Sequence, residues 1–419
     1  MSAVSKMEEH DTIIVGGGQA GLAMSYQLKQ RGREHIVLER GRIAERWLSE
    51  RWDTLHFQFP NWMVQLPGKS LTGCDPDAFS HRDEIARFIR DYAISIGAPV
   101  RTGVEVTSLT QEGSRFVVQT RNESLIANRV VIATGPFQRP SIPDFSKRLG
   151  SGTTQIHAND YKNPQQLPDG AVLIVGSGAS GYQIAEDLLH DGRKIYLCVG
   201  PHRRVPRRYR GHDMAWWFQK MGRFDVTLDS FPSRVFPPSV VVTAVDGGHD
   251  ANVRDLAAKG VVVLGNLNAI DNGRLALSDN AESVLSDADR AYWDFRRQVD
   301  EFAAKSGLDV PIERGERVSS DPIPSRPSLD LAGEGISSVV WCTGYAYDLS
   351  WIRLPVFDKS GAPIQSRGVS TCPGLTFLGL HWMHTFKSGL LFGVGDDAAY
   401  LADQISPIPA SSRKQTLEG

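Results

Sequence analysis

An α/β fold of two Rossmann-like dinucleotide-binding domains, the second inserted in the first, is what this sequence predicts, on three observations. The pattern Gly-x-Gly-x-x-Gly occurs twice, at Gly16, Gly18 and Gly21 and again at Gly176, Gly178 and Gly181. Each copy follows a β-branched apolar run and opens a stretch with helical spacing. Each is followed by a second apolar run, so both read as strand, glycine turn, helix, strand. With 40 glycines in 419 residues the triplets alone say little. The flanking elements give them meaning.

The first unit begins with a buried parallel strand over 12–15. Its helix carries Ala20, Leu22, Ala23, Tyr26 and Leu28 on the inner side and ends at Gly32. A strand over 36–38 then leads to Glu39, near the roughly 20-residue spacing at which an acid meets a ribose hydroxyl. Gly16 permits the tight turn, Gly18 lets the backbone approach a diphosphate, and Gly21 lets helix and strand pack. Gln19 and Ala20 open the helix whose free amides and dipole favour phosphate. Runs near 104–109 and 114–118 predict a meander. A buried strand from Val130 then ends in Ala133, Thr134 and Gly135. Pro136, Pro140 and Pro143 mark a linker.

The second unit has its strand at 171–175, its helix at 180–189 with Ser180 in the first turn, and its next strand at 194–199. No acid ends that strand. Arg203 and Arg204 follow, then Arg207, Arg208 and Arg210. A carboxylate there would repel a 2′-phosphate, whereas guanidinium groups grip one in bidentate fashion. NADPH is therefore expected ahead of NADH at this site, and FAD at the first. A helical insertion is expected at about 202–320, with Trp216, Trp217 and Phe218 and a helix over 287–305. It either caps a cleft or simply packs. A run from Val339 through Thr343 and Gly344 to Tyr345 is read as the return to the first domain, which closes with a helix over 396–404. The expected boundaries are 1–145 and 328–419 for the FAD domain and 146–327 for the NADPH domain.

Net charge is −2 and the arginine cluster is local, which argues against nucleic acid. No run of about 18 apolar residues exists, so no membrane span is expected. Residues 1–10 are polar and lack the core of a signal peptide, and a cytoplasmic location follows. Residues 406–419 read as a frayed tail. The four cysteines, Cys74, Cys198, Cys342 and Cys372, include no close pair, so a redox disulfide is not expected. His381 and His384 lack a third ligand, and no metal site is expected.

These motifs together resemble the class B flavin monooxygenases. The resemblance rests on the two fingerprints, on Ala133-Thr134-Gly135-Pro136 with Pro140 and Pro143, and on Thr343-Gly344-Tyr345. It is nearest to the YUCCA-type and bacterial subgroup. There the shared residues are Asp53, Leu55, Phe57, Phe59 and Pro60, then Gln65-Leu66-Pro67, Gly374-Leu375, Phe377, Gly379 and the run from Gly389 to Gly393. The family's linker motif is kept at His157 and Tyr161, but Ser151 and Thr153 replace its Phe and Gly. Gln58 stands where many relatives have Asn.

The resemblance implies the glutathione-reductase-like arrangement and a homodimer. It also implies an NAD(P)H-driven insertion of one oxygen atom of O2 into a small organic substrate through a flavin hydroperoxide. Arg46 and Trp47 would flank the FAD phosphate or ring, and Asp396 would open a helix facing the flavin. Gln58, His381 and Lys387 are the candidate catalytic residues. Two alternatives use the same sites: a flavoprotein reductase serving another acceptor, and a non-catalytic nicotinamide sensor.

Overall fold

The computed structural model describes residues 7–230, 237–313 and 321–405. The expected tail at 406–419 lies outside the described residues. A nine-stranded sheet holds the first fingerprint. Its parallel path runs Leu375–Phe377, Ser124–Ile132, Glu8–Val15, His35–Glu39, Val100–Thr102. The strand Glu8–Val15 lies in its middle, with Ile13 and Ile14 fully buried, as a strand covered on both faces must be. The meander forms at Val106–Glu112 and Arg115–Thr120, pairing antiparallel onto Ser124–Ile132.

The second sheet has five strands, all parallel, in the order Thr154–His157, Ile336–Trp341, Ala171–Val175, Ile195–Cys198, Val262–Leu264. This moves a domain boundary. The run placed in the first domain from 328 onward instead joins the second, because Ile336–Trp341 pairs with the second fingerprint strand. Ser328–Asp330 likewise pairs with Arg274–Leu277 in a small antiparallel sheet. The chain re-enters the first domain only after Gly344. There Tyr345–Ala346 pairs with Arg139–Pro140, so the two interdomain linkers run side by side. A strand buried on both faces has no polar side to reveal which sheet receives it, and its pairing partner decides.

The insertion contains the helices Met214–Lys220, Val253–Ala258 and Ala281–Ser306, but it is not purely helical. Val262–Leu264 is the edge strand of the second sheet. Its packing welds the domains together. Tyr209, Trp217, Phe218, Phe224 and Phe295 of the insertion join the buried core of the first domain. In return Trp52 and Leu55 of the first domain enter the core of the second. Among the described residues, no helix is long and apolar enough to cross a membrane. None of their His, Cys, Asp and Glu side chains cluster to hold a metal ion.

Candidate functional site

The first glycine turn is shaped by contact. A Cβ on Gly21 would lie 1.9 Å from the Gly16 carbonyl oxygen, and one on Gly16, where φ is +111°, would lie 2.5 Å from the Ala133 oxygen. Gly18 differs, since its Cβ position meets nothing within 4 Å. It caps the helix Gln19–Gln30 with no side-chain hydrogen bond and no acid in the first turn. The free N–H groups therefore face open space, the arrangement that receives a diphosphate. Glu39 stands at the end of the neighbouring strand. Its carboxylate accepts hydrogen bonds from Gly17 N at 2.7 Å and Gly41 N at 2.8 Å, which fixes its orientation.

One cavity gathers most of the first-site candidates: Gly16, Gly18, Gln19, Ala20, Glu39, Arg46, Trp47, Ala133, Thr134 and Gly135 all line it. Burial, and repulsion from Arg40 and Arg51 against the pull of Glu50, lower the Arg46 pKa from its ordinary value. Arg51 lies over the rings of Trp47 and Phe137 at 6.0 and 5.4 Å. It has no carboxylate partner among the described residues. Arg51 and Gln138 also line the cavity and escaped the sequence reading. Gln138 Nε2 donates to Thr134 Oγ1 at 2.8 Å and to the Gly135 carbonyl at 2.7 Å, while its Oε1 accepts from Asp348 N at 2.6 Å. Its place three residues beyond Gly135 was the available signal. Gly379 and Gly389 close the cavity opposite, and Gln19 Nε2 donates to the Gly389 carbonyl at 3.0 Å.

The second turn repeats the first. A Cβ on Gly181 would lie 1.8 Å from the Gly176 oxygen, one on Gly176 2.5 Å from the Cys342 oxygen, and one on Gly178 meets nothing within 4 Å. The helix Ala179–His190, with Ser180 in its first turn, is again uncapped by a side chain and free of acids there. Thr343 and Gly344 follow Cys342 as Thr134 and Gly135 follow Ala133, so the repeat extends to these turns. His157 pins the second one. Its Nδ1 accepts from Asn159 N at 3.1 Å, so Nε2 carries the proton and donates to the Gly344 carbonyl at 3.0 Å. Burial lowers its pKa and keeps it neutral.

The arginines divide in a way the sequence did not show. Arg204 is 3% exposed, donates from Nε to Asp289 at 2.9 Å, and stacks over Tyr292 at 4.2 Å. Asp289 also accepts from Arg254. Arg204 is thus anchored from within the fold, with its buried Nη2 left without a hydrogen-bond partner. In the short strand Arg203–Arg204 successive side chains leave opposite faces, so one of the two had to turn inward. Arg207 pairs with Asp213 and Arg210 with Asp300. Arg203 stays half-buried, tied only by Nε to the Pro238 carbonyl, with no carboxylate partner among the described residues.

The three catalytic candidates also separate. Lys387 Nζ lies 2.8 Å from Asp225 and 2.7 Å from Asp396. Burial opposes its charge, but the two carboxylates outweigh burial and raise its pKa. A lysine held as the cation is a tie and not a general base, and Asp396 is occupied by the same tie. Gln58 does not line the cavity, and its backbone carbonyl accepts from Arg207 Nη1 at 2.8 Å. His381 is exposed and does not line the cavity itself, but its ring meets Phe137, a cavity residue, edge-on at 5.1 Å. The surrounding protein lowers its pKa, so it is neutral near pH 7. Trp382 beside it has φ +51°, a strained value for a bulky residue.

Residues 13–212 match the family model described as pyridine nucleotide-disulphide oxidoreductase. An uncharacterized CzcO-like oxidoreductase of Geobacillus kaustophilus is 35% identical over 398 residues, covering 94% of this chain and 98% of its own. The indole-3-pyruvate monooxygenase YUCCA1 of Oryza sativa subsp. japonica is 30% identical over 191 residues, 45% of this chain and 47% of its own. Among solved structures, a flavin-containing monooxygenase from Stenotrophomonas maltophilia superposes with a TM-score of 0.67 at 20% identity, over 95% of this chain and 98% of that one. At that identity the likeness speaks for the fold. With its near full-length relative the chain belongs to the CzcO-like oxidoreductases, and with two cradles inside the matched region it is a flavin-dependent oxidoreductase.

Proposed function

We propose that the protein is an FAD-containing, NADPH-driven monooxygenase that places one oxygen atom of O2 in a small organic substrate. The observation that carries this reading is the pair of cradles. Gly18 and Gly178 each leave open the space that a Cβ would fill, at the uncapped start of a helix. The two sites are alike in backbone but unlike in charge. Glu39 ends the second strand of one, and Arg203 follows the second strand of the other. Two different dinucleotides fit that contrast.

Bound FAD supplies hydride acceptance and the activation of dioxygen. The chain's own residues supply position and exclusion of water. Glu39, fixed by two backbone amides, would orient the ribose of FAD, and the Gln19 helix would receive the diphosphate. Arg203 would meet the 2′-phosphate of NADPH. His381, neutral and in edge contact with the cavity residue Phe137, would accept or return a proton on its ring. Phe59, which packs against Phe57 and Phe392 at 5.6 Å each, makes a dry wall nearby.

A disulfide-reducing role is disfavoured. The four cysteines include no closely spaced pair, and burial pushes the Cys198 thiol up to about 12. The test is turnover with NADPH under labelled dioxygen. Label in an organic product supports the proposal. Rapid NADPH oxidation with an artificial acceptor, and no label in any product across a broad panel, would sink it.

A further inference from the structure

Residues 223–227 belong to the insertion of the second domain, yet they dock on residues 385–396 of the first. Phe224 is 3% exposed. Its ring lies 4.9 Å from that of Phe392, 5.9 Å from Phe386 in a stacked pose, and 6.1 Å from Phe59. All three partners come from the first domain. Beside it Asp225 holds Lys387 at 2.8 Å, and Lys387 holds Asp396 at 2.7 Å. Phe386 N donates to the Val226 carbonyl at 3.0 Å, and Thr227 and Thr385 form an antiparallel bridge. Four kinds of contact thus cross the domain border within five residues.

The docked segment has a second face. Gly379 and Gly389 line the cofactor cavity, and Gly389 is tied to Gln19 at the start of the first cradle helix. The loop between Gly379 and Gly393 is therefore a wall shared by both: its glycines border the cavity, and Thr385, Lys387, Phe386 and Phe392 meet residues 223–227.

We propose that residues 223–227 are an interdomain strap that seals the cofactor cavity, with Phe224 and Asp225 as its positioning residues. The strap is passive while the wall is shut. Its loosening admits water to the reacting flavin, and the two electrons of NADPH then leave on dioxygen as H2O2, with no oxygen atom reaching a substrate. That consequence rests on the monooxygenase reading; the seal itself does not.

The test compares holoenzyme with two variants, Asp225→Lys and Phe224→Ala. Asp225 is 64% exposed in its side chain, so its replacement sets two ammonium groups face to face without emptying the core. Iodide quenching of flavin fluorescence is the direct readout. Its quenching constant is expected to rise roughly fivefold in Asp225→Lys, the size of a partly exposed ion pair turned into a repulsion. The H2O2 released per NADPH consumed is expected to rise with it, at unchanged FAD content. Unchanged quenching in Asp225→Lys overturns the strap, whatever becomes of the more disruptive Phe224→Ala. Loss of FAD from Asp225→Lys also overturns it, because the segment would then retain the cofactor and not shield it. Should no substrate ever be oxygenated, the monooxygenase reading fails while the quenching result still decides the strap.

Discussion

Replacing Gly18 by Ser should move two measured quantities in opposite directions. At Gly18 φ is −83° and ψ −171°, an extended conformation that any residue adopts, and its Cβ position meets nothing within 4 Å. The folded chain therefore accepts a side chain there without strain. Removing a glycine from the unfolded ensemble is worth about 0.4–1 kcal/mol. Serine caps a helix better than glycine by a few tenths of a kcal/mol. The apoprotein should gain about 0.5–1.5 kcal/mol, or on the order of 1–5 °C in melting temperature.

The same side chain occupies the space of the diphosphate and satisfies N–H groups that would bind it. Overpacking costs about 1–3 kcal/mol, so the FAD dissociation constant should rise roughly 5- to 150-fold. Gly21→Ala is the contrast: a Cβ 1.9 Å from the Gly16 oxygen cannot be housed, and that variant should fail to fold. Calorimetry of the apoprotein and fluorescence titration with FAD measure both effects. A Gly18→Ser protein that binds FAD as tightly as the parent, or melts well below it, would refute this account of the cradle.

Arg203→Ala should raise the KM for NADPH and spare that for NADH, measured by initial rates with each coenzyme. Arg204→Ala should leave the ratio of the two unchanged. It should instead cost about 1–3 kcal/mol in urea unfolding, because it removes a buried charged hydrogen bond and the packing over Tyr292 while Asp289 keeps Arg254 as its partner. Burial lowers the pKa of His35, His157 and His202, so the unfolded chain binds more protons than the folded one below the ordinary histidine value of 6.5. Their stabilising effect is complete above that pH and is lost as pH falls through their folded values. Melting temperature should therefore drop from pH 7 to pH 5, and His157→Gln should flatten that slope. A flat profile in the parent protein would contradict the neutral, doubly hydrogen-bonded His157.

Much of this architecture is legible in the chain because it is local. Gly16, Gly18 and Gly21 act within one turn, and Glu39 ends the adjacent strand, so spacing alone reports their arrangement. The ion pairs of Arg204 and Lys387 were not legible, because Asp289 and Asp225 lie far away in sequence. A cation that looks free in a linear reading is free only if no distant carboxylate reaches it, and neither propensity nor periodicity carries that information. The strap at 223–227 was hidden for the same reason.

The misplaced strand at 336–341 is a different kind of miss, since the needed rule was present. In the first unit the strand ending in Ala133, Thr134 and Gly135 lies directly beside the fingerprint strand. If the second unit is a copy of the first, the strand ending in Cys342, Thr343 and Gly344 must lie beside its own fingerprint strand, as it does. The close contacts demand this as well. Gly16 sits against the Ala133 carbonyl and Gly176 against that of Cys342, so each cradle is built from two segments, a glycine turn and the Thr-Gly turn that backs it. A fingerprint without its backing turn is half a site. Pairing each with its own partner divides the chain correctly between the two domains.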